Sequence, residues 1–172
     1  MRYFLLSLLL LSSLHAKLLM TPFEAIHLVY GSKVVITKKN ILLKSKQAKA
    51  VSKIAHQKLK TKIYRIFKIQ KDETIIAYGV LTMNKMRTKD AAVLTMINLE
   101  GVIKSIATIA FNEPPEFAPN KKWESLFEKK TKDDTLRIGK DLPTITGATL
   151  SARGYAKGVR LALAIYEAVL KK

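Results

Sequence analysis

Between residues 63 and 111 the chain passes through a run of stretches rich in β-branched and aromatic residues, each parted from the next by polar turn residues. The stretches are 63–69, 74–83, 91–97 and 102–111. Between them lie Lys71-Asp72-Glu73, a charged segment at 84–90, and Asn98-Leu99-Glu100-Gly101. Connections this short join antiparallel neighbours; a parallel crossover needs roughly a dozen residues or more. The pattern therefore predicts an α+β fold, an antiparallel sheet of about four strands flanked by helices. In 102–111, Lys104 and Thr108, with the small Ala107 and Ala110, interrupt the apolar pattern, which predicts one face open to solvent or a ligand.

Helix signals flank this block. Thr21-Pro22-Phe23-Glu24 has the order of a capping box with proline at the first helical position. The helix runs through 25–30, and Gly31 can end it. Residues 33–37 form a short β-branched run, read as a strand. Across 41–60, Ala48, Val51, Ala55 and Leu59 share one face of a Lys-rich amphipathic helix. Asn112-Glu113-Pro114-Pro115 ends the last sheet segment, because proline cannot donate to a ladder. Residues 121–129 predict a short helix with Trp123, Leu126 and Phe127 on one face. Near the C-terminus, Ala152, Ala156, Val159, Leu163, Tyr166 and Leu170 recur at spacings of three and four, the face of a longer helix.

The chain has 172 residues, enough for one ordinary domain with a real core. Its start, Met1-Arg2, a nearly unbroken apolar run over 3–14 and then Leu14-His15-Ala16, has the plan of a secretory signal peptide. The run is about twelve residues, short of the roughly twenty that span a bilayer. Residues 1–16 are thus expected to be removed and 17–172 to form one periplasmic domain, with an uncleaved membrane anchor as the alternative. There is no cysteine, which excludes disulfides, thiolate metal sites and a lipidated cysteine. The formal charge is +18, or +17 (18 minus 1) without Arg2. The excess is mostly lysine, with only six arginines, and is spread along the chain. Forked phosphate recognition favours arginine, and no nucleic-acid motif is present, so no nucleic-acid partner is expected. A basic solvated surface is the plainer reading; docking on lipid headgroups or an acidic redox partner is the functional one. His27 and His56 stand alone, without carboxylates at metal spacing.

The candidate site is Asp141-Leu142-Pro143-Thr144-Ile145-Thr146-Gly147-Ala148-Thr149-Leu150-Ser151. Pro143 keeps Leu142 extended. Gly147 permits a sharp turn or a close backbone approach. Thr149 and Ser151 fall in or just before the first turn of the C-terminal helix, where free N–H groups and the positive end of the helix dipole can hold a phosphate. A plain N-cap hydroxyl is the simpler reading of the same residues. Thr146-Gly147-Ala148-Thr149, followed by Leu150-Ser151, resembles the [Ser/Thr]-Gly-Ala-Thr signature of FMN-binding domain proteins. These are relatives of the C subunit of the sodium-pumping NADH:quinone reductase and of the Rnf complex G subunit.

The resemblance implies that Thr149 carries FMN through a phosphoester, installed by a separate flavin transferase with FAD as donor. Thr146, Gly147, Ala148, Leu150 and Ser151 would lie around the phosphate. The last strand and its neighbour would form the sheet beside the flavin, and Glu113 and Pro115 loosely match a family loop there. Trp123 could stack on the flavin ring or pack in the core. The family has Asp six residues before the modified Thr; here that position is Pro143, with Asp141 two residues further upstream. No catalytic triad, metal cluster or nucleotide-binding glycine loop is present, so the resemblance implies an exported electron carrier with a membrane redox partner and no metal, rather than a self-contained enzyme. The alternatives are a non-covalent flavin or phosphate-binding module, and a basic exported binding or membrane-docking protein without a covalent cofactor.

Overall fold

The computed structural model describes residues 18–171. The expected signal peptide and the cleavage after Ala16 lie outside the described residues. Helix α1, Pro22–Tyr30, opens on the capping box: Glu24 N–H donates to the Thr21 hydroxyl (3.2 Å) and Thr21 N–H to the Glu24 carboxylate (2.7 Å). Gly31, at φ 83°, closes it. Replacing Thr21 by alanine is expected to lower stability by about 1 kcal/mol, read from a urea midpoint.

Strands β1 (Val35–Leu42), β2 (Ile63–Lys71), β3 (Thr74–Lys85), β4 (Asp90–Asn98) and β5 (Ile103–Phe111) form one sheet, antiparallel throughout, in the order of the chain. The sheet gains a fifth strand because the β-branched run at 33–37 pairs along the outer side of β2 and continues to Leu42. Helix α2 is correspondingly shorter than the 41–60 expected: it spans Ser45–Ala55 and stops at His56, whose φ is 51°.

The sheet is covered on both faces. On one face α1 lies over Phe67, Ile69, Ala77, Leu94 and Met96, with Phe23 edge-on to Phe67 at 5.7 Å. The opposite face holds the larger cluster. Helix α2, the single turn α3 (Lys121–Glu124) and the long α4 (Thr149–Ile165) bring Val51, Trp123, Tyr155 and Val159 onto Val80, Val93 and Ile106.

This double cover overturns the open face expected of β5. Ala107 is buried within the α1 cluster, and Thr108 is buried beneath α4, in contact with the Tyr155 hydroxyl at 2.6 Å and with the Glu124 carboxylate. The segment before α1 also borders β5, where Leu19 N–H donates to the Ile109 carbonyl at 2.9 Å. The helix expected at 121–129 reduces to α3 and a 3₁₀ turn, Ser125–Phe127. The tighter turn leaves Leu126 exposed while Trp123 and Phe127 stay buried.

Candidate functional site

The segment that leads into α4 is pinned at several points. The Asp141 carboxylate accepts the Arg137 N–H at 2.9 Å and the Thr135 hydroxyl. The Arg160 guanidinium, from α4, donates to the Leu136 carbonyl at 2.9 Å. Leu142 is buried, and the Trp123 indole N–H donates to the Pro143 carbonyl at 3.0 Å. Trp123 thus belongs to the core: its ring meets Phe127 and Tyr155 edge-on at 5.2 and 6.0 Å, and the flavin-stacking reading falls away. Asp141, the acidic residue nearest to position 143, is committed to this strap.

Beyond Pro143 the chain turns and starts the helix. Gly147 has φ 74°, with open space where a side chain would stand. Ala148 N–H closes the turn on the Ile145 carbonyl at 2.9 Å. Ala148 itself is the N-cap, so no hydroxyl caps α4, and the plain-cap reading of Thr149 and Ser151 fails. Thr149 is the first helical residue and is half-buried. Its N–H and those of Leu150 and Ser151 precede the first intrahelical bond, from Ala152 to Ala148 at 3.0 Å. Thr146, Gly147 and Leu150 are exposed. Ser151 is fully buried, and its hydroxyl has no hydrogen-bond partner. Uncapped N–H groups, a positive helix end, a threonine hydroxyl free of a capping bond and an orphaned serine hydroxyl fit a phosphoryl group.

The place of this helix start in the fold follows from two glycines. Helix α4 runs antiparallel to β3: Gly154 sits against Lys85 and Met86, and Gly158 against Asn84 and Thr82. Thr149, more than one turn before Gly154, therefore extends past the end of β3 towards the β3–β4 connection. That connection is organised by a residue 24–26 positions away. The Glu113 carboxylate accepts the backbone N–H groups of Arg87 (3.0 Å), Thr88 (2.5 Å) and Lys89 (2.8 Å). The Arg87 guanidinium then lies 4.0 Å over the Phe117 ring. In the sequence Glu113 stands only as a loose loop match and 84–90 only as a charged segment. An acidic residue just past a strand end was the available signal; its partners are not local.

Desolvation pushes the Glu113 carboxyl upward, but the hydrogen bonds from Lys89, Thr88 and Arg87 outweigh it and hold the pKa below the ordinary 4.5. A depressed pKa means the carboxylate's contribution to stability is whole above 4.5 and is lost as pH falls through the lowered value. Glu113→Gln is expected to cost about 1–3 kcal/mol near pH 7. The gap between variant and wild type should close in acid, as urea titrations across pH would show.

His27 and His56 are exposed, and no group of three or more metal-ligating side chains occurs among the described residues. No helix among them is long and apolar enough to cross a membrane.

Residues 88–164 match the family model described as the FMN-binding domain. The matched stretch runs from the connection held by Glu113 through nearly all of α4, and includes Thr146-Gly147-Ala148-Thr149. The fold is similar to the crystal structure of NqrC from Shewanella oneidensis, with a TM-score of 0.58 and 16% identity over 84% of each chain. No curated protein sequence matches the chain. The chain thus contains an FMN-binding domain over residues 88–164, and the cofactor is FMN.

Proposed function

We propose that this protein carries FMN covalently on Thr149 and works as an exported electron carrier. The observation that carries the reading is the uncapped start of α4, where the Thr149 hydroxyl stands beside N–H groups without partners. Attachment makes a phosphoester between Thr149 Oγ1 and the FMN phosphorus and breaks the diphosphate linkage of FAD. The adenylate half leaves, and the hydroxyl proton passes to a base on the flavin transferase. The transferase supplies that base and its metal.

The chain's own residues then bind and orient. The free N–H groups and the helix dipole favour the phosphoester's negative charge. Gly147, at φ 74°, keeps the approach to Thr149 open. Bound FMN supplies the redox chemistry that no side chain here can.

The export signal at 1–16 places the mature domain, 17–172, in the periplasm. A tethered cofactor suits that compartment, since a dissociated one is lost by dilution. The donor is a membrane redox protein, by the resemblance to the reductase subunits, and the acceptor an extracytoplasmic protein or terminal reductase. The surface suits work beside an anionic membrane: residues 33–71 hold twelve lysines and one arginine and no acidic residue.

The test is to produce the chain with and without a flavin transferase. The intact mass should rise by one FMN less one water only with the transferase, and the flavin should survive denaturation. The labelled protein should be reduced by dithionite and reoxidised by a partner protein. Turnover of a small organic substrate by this chain alone would contradict the carrier reading.

A further inference from the structure

Half of the arginines of this chain gather on one side of α4. Thr149, Arg153, Lys157 and Arg160 fall at i, i+4, i+8 and i+11, a single stripe along the helix. Opposite the stripe runs the pinned strap, with Arg137 and Ile138. Between strap and helix is a cavity of about 260 Å³, lined on its polar side by Arg137, Arg153, Lys157 and Arg160 and on its apolar side by Leu136 and Ile138.

No acidic side chain lines it. All four ion pairs among the described residues are made by lysines, Lys121, Lys130, Lys132 and Lys171, so none of these arginines has a carboxylate partner. The neighbouring cavity, on the other side of Arg137 and Arg160, does contain Asp133 and Asp134, but Lys132 and Lys130 hold them at 2.7 and 3.1 Å. Asp141 is spent on the strap backbone.

Arg160 is half-buried and has used one nitrogen on the strap, for the Leu136 carbonyl. Burial, and after it the charge of Arg137, hold its pKa below the ordinary value. Two guanidiniums kept together without a counter-ion repel each other, and an anion between them relieves the repulsion. From Arg153 to Arg160 the helix rises about 10 Å, more than one phosphate needs. Planar forked donors select phosphoryl oxygens over halide.

We propose that this cavity is a second anion site, separate from the phosphoester at Thr149, which binds a small ligand bearing two or more phosphoryl groups. Inorganic pyrophosphate and the diphosphate of a nucleotide share that chemistry. The apolar floor of Leu136 and Ile138 would add to the binding of a nucleotide's ring and nothing to that of pyrophosphate.

The site is tested on the full chain made without a flavin transferase, so the outcome does not depend on flavin at Thr149. Calorimetric titration with inorganic pyrophosphate is expected to show one saturable site at 0.15 M salt. Arg153 and Lys157 are exposed, and their side chains make no hydrogen bond, so Arg153→Gln with Lys157→Gln spares the fold. That pair should weaken binding about tenfold or more, two charge-assisted contacts being lost. Lys46→Gln with Lys49→Gln on α2 removes the same charge elsewhere and should leave the affinity within about twofold. ADP binding more tightly than pyrophosphate would support the site and assign it to a nucleotide; equal binding would support it and assign it to the inorganic anion. Absence of a saturable site, or an equal loss in both double variants, would overturn the proposal and leave only diffuse attraction to a basic surface.

Discussion

Substituting Gly154 by leucine is expected to cost this protein about 3 kcal/mol or more, a large part of the 5–15 kcal/mol that holds a domain of this kind together. A Cβ at Gly154 would stand 2.8 Å from the Lys85 carbonyl oxygen and 2.5 Å from the Met86 sulfur. The thioether can swing away. The carbonyl belongs to the last residue of β3 and cannot, so α4 must lift from the sheet. Alanine alone already makes the backbone clash, and leucine adds three further carbons to it.

Gly158 provides the internal comparison. A Cβ there would meet the Asn84 side-chain nitrogen at 2.3 Å and the Thr82 hydroxyl at 2.9 Å, both ends of side chains. They can move at the expense of the 3.0 Å hydrogen bond between them. Gly154→Ala should therefore be more destabilising than Gly158→Ala. Urea midpoints rank the two, and a Gly154→Ala midpoint equal to that of wild type would contradict the packing described. Because Gly154 abuts Met86, the same change should also disturb the connection that Glu113 organises.

The two glycines show where sequence reading stops. The period of Ala152, Ala156, Val159 and Leu163 was enough to predict α4 and its buried face, since a helix writes its core side at spacings of three and four. Nothing in that period says that Gly154 and Gly158 are the residues against the sheet, because close approach is a property of the pair, helix and strand together. The hairpins were legible for a local reason. Asp72 and Glu73 both adopt positive φ, 47° and 63°, and the tight turn they make fixes the β2–β3 register from within a few residues. The capping box of α1 was legible for the same reason. Polar Thr108 predicts an open face of β5 from the sequence alone, whereas in the fold Glu124 and Tyr155 satisfy it from distant parts of the chain. The Glu113 carboxylate and the Arg137–Arg160 pair were out of reach likewise. The Thr146-to-Thr149 stretch was found by its likeness to a family signature; its setting, an uncapped helix start with an orphaned Ser151 hydroxyl, came only with the fold.

Thr149→Val is expected to abolish covalent flavin altogether and to leave folding stability within about 1 kcal/mol of wild type, since it exchanges a hydroxyl for a methyl at a half-buried position that makes no capping bond. The other hydroxyls of the stretch are the controls. Thr146 is exposed two residues before the buried Ala148, and Thr146→Val should lower the yield of flavinylation without eliminating it. Ser151 faces the interior, and Ser151→Ala should do the same while relieving an unsatisfied buried hydroxyl. Pro143→Asp restores the residue type of the family, and a higher yield would show that Asp141, held by Arg137 N–H and the Thr135 hydroxyl, does not substitute for it. In-gel flavin fluorescence after denaturation reads all four variants.

The most direct measurement is fragmentation mass spectrometry of the tryptic peptide spanning 141–153, which contains Thr144, Thr146, Thr149 and Ser151 together. Taken from protein made with a competent flavin transferase, it should carry one FMN less one water, with every fragment that retains the added mass containing Thr149. The unmodified peptide from that preparation, or the added mass on any of the other three hydroxyls, would contradict the account.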